Sequence, residues 1–200
     1  MLPFWAAAGG LALLGHPGWA AAALVIGLLV LLFFRNPRRE FTGDGSQVLA
    51  AADGRITGID TLEDPEVGPG RFHRVVTFLS PLDVHVQRSP VSGVVVVGRF
   101  KAGRKIAAFK RDAGSVNENH LTVLRQPSGE LVAVRQIAGA VARRVVCHLR
   151  VGDQVERGQL MGLIKFGSRV DLLLPLSYRI LVREGERLRT GETPVAEPGP

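Results

Sequence analysis

Residues 151–164 read Val151-Gly-Asp-Gln-Val-Glu-Arg-Gly-Gln-Leu-Met-Gly-Leu-Ile164. Gly-Asp-x-Val followed by x-x-Gly-x-x-x-Gly is the pattern of a strand, a tight turn and a second strand, with glycine where the backbone must reverse. Working outward, Val48–Ala52, Gly54–Ile59, Arg74–Leu79, Val94–Phe100, His120–Leu124, Leu131–Ile137 and Val145–Leu149 are further short runs rich in Val and Ile, punctuated by Gly, Pro, Asp and Asn. That spacing predicts a mainly β domain of sandwich or barrel type. Only Ala138–Arg144 reads as a short helix within it.

Before this β region the pattern differs. None of the first 34 residues is Asp, Glu, Lys or Arg, whereas the 200-residue chain as a whole is 46% apolar, 22% charged and carries a net charge of +7. One helix of that length would be about 50 Å long, well beyond a ~30 Å hydrocarbon core. Gly15-His16-Pro17-Gly18 is the natural break, giving apolar runs at about Phe4–Leu14 and Trp19–Phe34. Two short membrane-associated helices are expected in 1–34, followed by a β domain over 35–200. A cleaved secretion signal fits poorly, because the run lacks a basic start and ends in Phe33-Phe-Arg-Asn-Pro-Arg-Arg39. Arg35, Arg38 and Arg39 place that end on the cytoplasmic side of a cell membrane.

Composition excludes several function classes. A single cysteine, Cys147, allows neither an internal disulfide nor a thiolate metal cluster. The five histidines, at 16, 73, 85, 120 and 148, show no metal-binding spacing, and no metal is expected. Phosphate-binding glycine loops and a nucleophile elbow are missing from the sequence. The basic excess lies in residues 35–167, since 168–200 balances five Arg against five acidic residues. With few aromatics to stack on bases, it points to an anionic membrane surface and away from nucleic acid.

Three segments remain that carry chemistry: Ala52-Asp-Gly54, Ser80-Pro-Leu-Asp-Val-His-Val-Gln-Arg-Ser-Pro90 and Lys165-Phe-Gly-Ser-Arg-Val-Asp171. Gly167-Ser168 taken alone is an ordinary turn. Glycine also frees the backbone, however, so that the Ser168 hydroxyl can attack the Gly167 carbonyl in an N-to-O acyl shift if a base takes its proton. Elimination from the resulting ester leaves dehydroalanine, which hydrolyses to a pyruvoyl group and ammonia.

The 151–164 segment resembles the hammerhead half of biotinyl and lipoyl domains, with a weaker echo at Ala52–Gly58, but no modifiable lysine stands at a hairpin tip. Over nearly its whole length the chain closely resembles the phosphatidylserine decarboxylase family, in its short class. The matching pieces are Phe34-Arg-Asn-Pro-Arg38, Ala52-Asp-Gly54, Ser80–Arg88, Pro90-Val-Ser-Gly93, Asn117-Glu-Asn119, Gln136-Ile-Ala-Gly139, Ala142-Arg-Arg144 and Phe166–Asp171, in that order.

The resemblance implies a proenzyme that cuts itself between Gly167 and Ser168 into a β chain (1–167) and an α chain (168–200), which stay together as a heterodimer. Ser168 becomes the pyruvoyl cofactor, whose Schiff base with phosphatidylserine leads to phosphatidylethanolamine. It further implies that Asp53 and His85 act with Ser168 in maturation. Longer members carry a second histidine three residues after the first, where this chain has Arg88. Arg143 and Arg144 stand as contacts for the substrate phosphate or the membrane, or as a solvated basic edge. His120 either faces the site or serves the core; His73 and His148 lie outside any motif. A reading from a different class is a non-enzymatic, membrane-tethered lipoyl-like adaptor, which would remain one intact chain.

Overall fold

The computed structural model describes residues 2–41, 43–104, 106, 113–140, 144–165 and 168–199. The chain divides into two units, Met1–Asn36 and Pro37–Pro200.

The first unit holds α1 (Leu2–Leu13) and α2 (Pro17–Phe33). Pro17 suits the first turn of α2, where its missing N–H costs nothing, and Gly15 turns the chain with φ +76°. Gly27 of α2 lies against Phe4 of α1, where a Cβ would come within 3.3 Å of the phenylalanine Cβ. Leu24, Val25, Ile26, Leu28, Leu29, Leu31 and Leu32 are exposed on α2. At 17 residues α2 spans about 25 Å, and no helix among the described residues is long and apolar enough to cross a membrane.

The second unit is mainly β. Its strands are β1 (Val48–Leu49), β2 (Gly54–Glu63), β3 (Arg71–Leu79), β4 (Val86–Arg88), β5 (Gly93–Lys101), β6 (Asn119–Arg125), β7 (Leu131–Ala138), β8 (Arg144–Cys147), β9 (Gln154–Val155), β10 (Leu160–Lys165), β11 (Ser168–Pro175), β12 (Tyr178–Ile180), β13 (Arg187–Leu188) and β14 (Pro194–Pro198); a short α3 covers Ala113–Val116. Eight strands form one antiparallel sheet in the order β13-β2-β3-β11-β7-β6-β5-β9, beside two three-stranded sheets, β1-β14-β12 and β4-β10-β8.

β11 is the strand around which the site is built. It pairs along its length with β3 and with β7, so that Ser168 stands between Leu79 and Ala138. Val170, Leu172 and Leu174 enter the main core with Val75, Leu79, Val134 and Ala138. Leu173, pointing the other way, joins a smaller core with Phe72, Leu121, Val123 and Ala133. Burial on both faces explains why the polar alternation of Arg169-Val170-Asp171-Leu172 gives way to a run of three leucines over Leu172–Leu174.

The short helix expected over Ala138–Arg144 is not the structure at its ends: Ala138 closes β7 and Arg144 opens β8. β-branched Val145 and Val146 gain more as partners of Ile164 and Leu163 than in a helical turn. Residues 141–143 lie outside the described residues. Segment 151–164 does form strand, turn, strand: β9 pairs with β5, the chain reverses near Gly158 (φ +80°), and β10 runs between β4 and β8. Its two strands thus belong to different sheets.

Candidate active site

Ser168 opens β11 fully buried, and its Oγ makes no hydrogen bond to any described residue. An interior hydroxyl without a partner is costly and uncommon, and such groups mark sites where chemistry, not stability, set the residue. Gly167 and Phe166 lie outside the described residues.

His85 reaches the same region through β10. Its carbonyl accepts from the Ile164 amide at 3.2 Å, and the Gln87 side-chain amide donates to that carbonyl at 2.9 Å. Gln87 in turn accepts from Gln136 Nε2 at 2.8 Å, and Gln136 faces Val170 across the β7–β11 pair. A buried polar chain therefore runs from His85 to the strand beside Ser168.

The turn before His85 is clamped. The Asp83 amide donates to the Ser80 carbonyl at 3.0 Å, while the Ser80 amide and hydroxyl donate to Asp83 Oδ2 at 2.8 and 2.7 Å. His85 Nδ1 lies 2.9 Å from the Asp83 carbonyl. A carbonyl only accepts, so Nδ1 carries the proton and Nε2 is the basic nitrogen of the neutral ring.

Asp53 sits where Ala51 and Arg88 tie their segments together, the Arg88 amide donating to the Ala51 carbonyl at 3.1 Å. Its Oδ1 accepts from the Thr190 amide at 2.7 Å and its Oδ2 from Arg39 at 2.8 Å; Arg39 also pairs with Glu192 at 3.1 Å. Burial pushes the Asp53 carboxyl above the usual aspartate value and the charge of Asp83 adds to this, whereas the Thr190 amide and Arg39 pull it back. Gly54 is required here: it has φ +149°, and a Cβ would lie 2.3 Å from the Phe78 carbonyl oxygen.

The Asn117-Glu-Asn119 piece braces the opposite side. Asn117 Nδ2 donates to the carbonyls of Ala138 (2.6 Å) and Ile106 (2.8 Å), and the Ala138 amide donates to the Glu118 carbonyl at 2.9 Å. Ala138, the neighbour of Ser168, is thereby fixed from both its peptide groups.

Arg88, where the resemblance implied a second histidine in longer members, donates to the carbonyls of Gly158 (2.9 Å) and Pro37 (3.4 Å). Burial first, then the neighbouring charge of Arg39, lowers its pKa. Arg144 is exposed at the start of β8, and Arg143 lies outside the described residues. Half-buried His120 packs with Thr122, and burial lowers its pKa. Among the described residues no three His, Cys, Asp or Glu side chains assemble as a metal site.

Sequence reasoning missed Arg39 and Thr190 as the partners of Asp53, and the charged group on the far face of β11. There Arg169 binds Asp171 through two hydrogen bonds, of 2.6 and 2.8 Å, beside Arg74. The i, i+2 placement of opposite charges within Phe166–Asp171 was the available signal, since such residues share one face of a strand.

A serine hydroxyl held in the interior at a strand start, in a chain that also holds a buried histidine with a defined basic nitrogen and a carboxyl whose pKa burial raises, supplies the groups that self-processing chemistry needs, although no hydrogen bond or ion pair among the described residues joins Asp53 or His85 to Ser168. The chain belongs to the phosphatidylserine decarboxylase family: a family model so described matches residues 26–196. Relatives bearing the name phosphatidylserine decarboxylase proenzyme include one from Symbiobacterium thermophilum, 41% identical over 92% of this chain and 85% of its own. Another, from Nocardia farcinica, is 46% identical over 90% of this chain and 75% of its own. A third, from Burkholderia ambifaria, is 39% identical over 98% and 92% respectively.

Proposed function

We propose that this chain is the proenzyme of a pyruvoyl-dependent phosphatidylserine decarboxylase that forms phosphatidylethanolamine. Family membership supports the reaction, and the buried Ser168 hydroxyl, without a hydrogen-bond partner among the described residues, is the observation that carries the assignment of the reacting residue.

In maturation, His85 Nε2 takes the Ser168 hydroxyl proton as Oγ bonds to the Gly167 carbonyl carbon. The peptide C–N bond breaks, the proton passes to the departing nitrogen, and an ester joins the two residues. Loss of the Ser168 α-proton then expels the Gly167 carboxylate, which retains Oγ. Water replaces nitrogen in the dehydroalanine left behind, releasing ammonia and leaving a pyruvoyl group on the α chain, 168–200. The Asp83 carbonyl orients the His85 ring, while Asp53, held by Arg39 and the Thr190 amide, ties the segment before β2 to the β13–β14 connection.

The residues present fit that group, because the Ser168 side chain occupies an interior position whose polar atom is not committed elsewhere among the described residues. A pyruvoyl group supplies the electron sink for the pair released when a bound amino acid loses carbon dioxide. Around it, Leu79 and Ala138 exclude water, the Gln87–Gln136 pair fixes the His85 backbone, and His85 holds the proton that must return to the substrate carbon.

The α segment contributes β11 to the interior of the large sheet, β14 beside β1 with β12 on its outer side, and β13 beside β2. These pairings support an αβ heterodimer that survives the cut. The exposed leucines of α2 and the basic residues that follow support an N-terminal pair of membrane-associated helices, with the catalytic domain on the cytoplasmic face of the cell membrane. The 151–164 segment is read as a hammerhead-like structural piece, with β9 and β10 shared between two sheets.

Ser168→Ala tests the proposal. It is expected to leave one chain and to abolish carbon dioxide release from phosphatidylserine vesicles; decarboxylation by that variant would overturn the assignment.

A further inference from the structure

Gln136 lies fully buried in β7, and a chain of one-way hydrogen bonds fixes which atom of its side chain is left over. The His85 carbonyl can only accept, so Gln87 must present Nε2 to it, at 2.9 Å. Gln87 Oε1 then faces Gln136, and since that oxygen also only accepts, Gln136 must present its own Nε2, at 2.8 Å. What remains is an acceptor: Gln136 Oε1 is buried and has no hydrogen-bond partner among the described residues.

The strand register places this atom beside the reacting residue. Ser168 stands opposite Ala138 and Val170 opposite Gln136, in a β7–β11 pairing without a bulge. Directly paired residues, and residues two apart on one strand, share a face of the sheet, so the Ser168 and Gln136 side chains rise from the same face as diagonal neighbours, with Cα atoms roughly 7–8 Å apart. A glutamine is long enough to reach across that gap. The other side chains of this face, Val134, Ala138 and Val170, belong to the main core and offer Gln136 Oε1 no donor. Leaving a buried acceptor unmet costs stability, so Oε1 is not held there for the sake of the fold.

An oxygen that accepts and cannot donate suits an N–H donor and disfavours a carboxylate or phosphate oxygen. A serine headgroup presents both kinds of group to residue 168: an amine that must come to it and a carboxylate that must be left able to depart. We propose that Gln136 Oε1 is the amine acceptor of the site, receiving an N–H of the substrate's amino group at residue 168 and turning the carboxylate to the other side. This rests on the lipid-decarboxylase reading and names the residue that selects an amine-bearing headgroup. Gln136 thereby has a catalytic role besides its part in bracing His85 through Gln87.

The test captures the amine on the mature two-chain protein. Phosphatidylethanolamine in detergent micelles, which carries the amine without the carboxylate, is added together with cyanoborohydride. Condensation of the amine with the carbonyl at residue 168 releases water, the reagent delivers hydride to the carbon and solvent a proton to the nitrogen, and the smaller chain gains the mass of the lipid less one oxygen atom. Gln136→Met keeps the length of the side chain without its acceptor and is expected to raise the lipid needed for half-maximal capture about tenfold or more. Gln87→Met removes the brace alone and should raise it much less; equal effects of the two variants assign Gln136 to the brace and overturn the proposal. Gln136→Glu separates the two roles by sign. Ionising a carboxyl there strengthens the acceptor but removes the proton that could bond Gln87 Oε1, so the half-maximal lipid relative to wild type should fall as pH rises from about 6 to 8. A flat or rising value overturns the proposal, as does failure of both Gln136 variants to mature, which assigns the residue to cleavage. A wild-type chain without the pyruvoyl mass overturns the enzyme reading itself, whereas a pyruvoyl-bearing Gln136→Met chain that captures the amine as the wild type does overturns the acceptor alone.

Discussion

At Asp53, opposing effects of similar kind set the charge state. Burial raises its carboxyl pKa while the Thr190 amide and Arg39 lower it. Arg39→Gln removes one lowering influence, so the carboxyl needs a higher pH to ionise. The acid limb of the self-cleavage rate against pH should therefore move to higher pH, and Arg39→Lys should restore part of the shift; an unmoved profile would show that the Asp53 charge does not govern cleavage. His120 gives a separate pH effect. Burial holds its folded pKa below the ordinary 6.5, so the unfolded chain binds the proton more readily. Its contribution to stability is present above 6.5 and is lost as pH falls through the lowered value. Urea unfolding followed from neutral to mildly acid pH should show a smaller loss of stability in His120→Gln than in the wild type.

Two elements carry the architecture of the site, and they were unequally visible in the sequence. The turn from Ser80 to Arg88 was legible because Pro, Asp and His stand in an ordered motif. β11 was not read as a strand, because its alternation lasts only from Arg169 to Leu172 before the leucine run that serves two cores at once. β12, β13 and β14 are short and specified by pairing partners distant in sequence. The Arg39–Asp53 contact has no spacing rule behind it, since it forms only once the chain before β1 meets the β13–β14 region. Energetically, the far face of β11 depends on Arg169 and Asp171, which are both buried. Asp171→Ala leaves the guanidinium without its principal partner and should cost about 3–5 kcal/mol in urea unfolding. Gly54→Ala, which drives a Cβ against the Phe78 carbonyl, should cost about 3 kcal/mol by the same measurement.

For the whole molecule, the order of strands explains how a chain can be cut near its centre of packing and remain one body. The segment from Ser168 onward is held between β3 and β7 and extends to β1 and β2. The α and β chains should therefore co-elute in native buffer and separate only in denaturant; separation without denaturant would contradict the pairing. The division into an uncharged head and a basic β domain was plain from charge alone, whereas the sheet order that makes cleavage tolerable was not. Intact mass of the purified protein tests the central claim most directly. Two chains divided between Gly167 and Ser168 are expected, the smaller beginning with a pyruvoyl group, with ammonia lost and water gained relative to the precursor. A single unmodified chain of 21.5 kDa in an active preparation would contradict it.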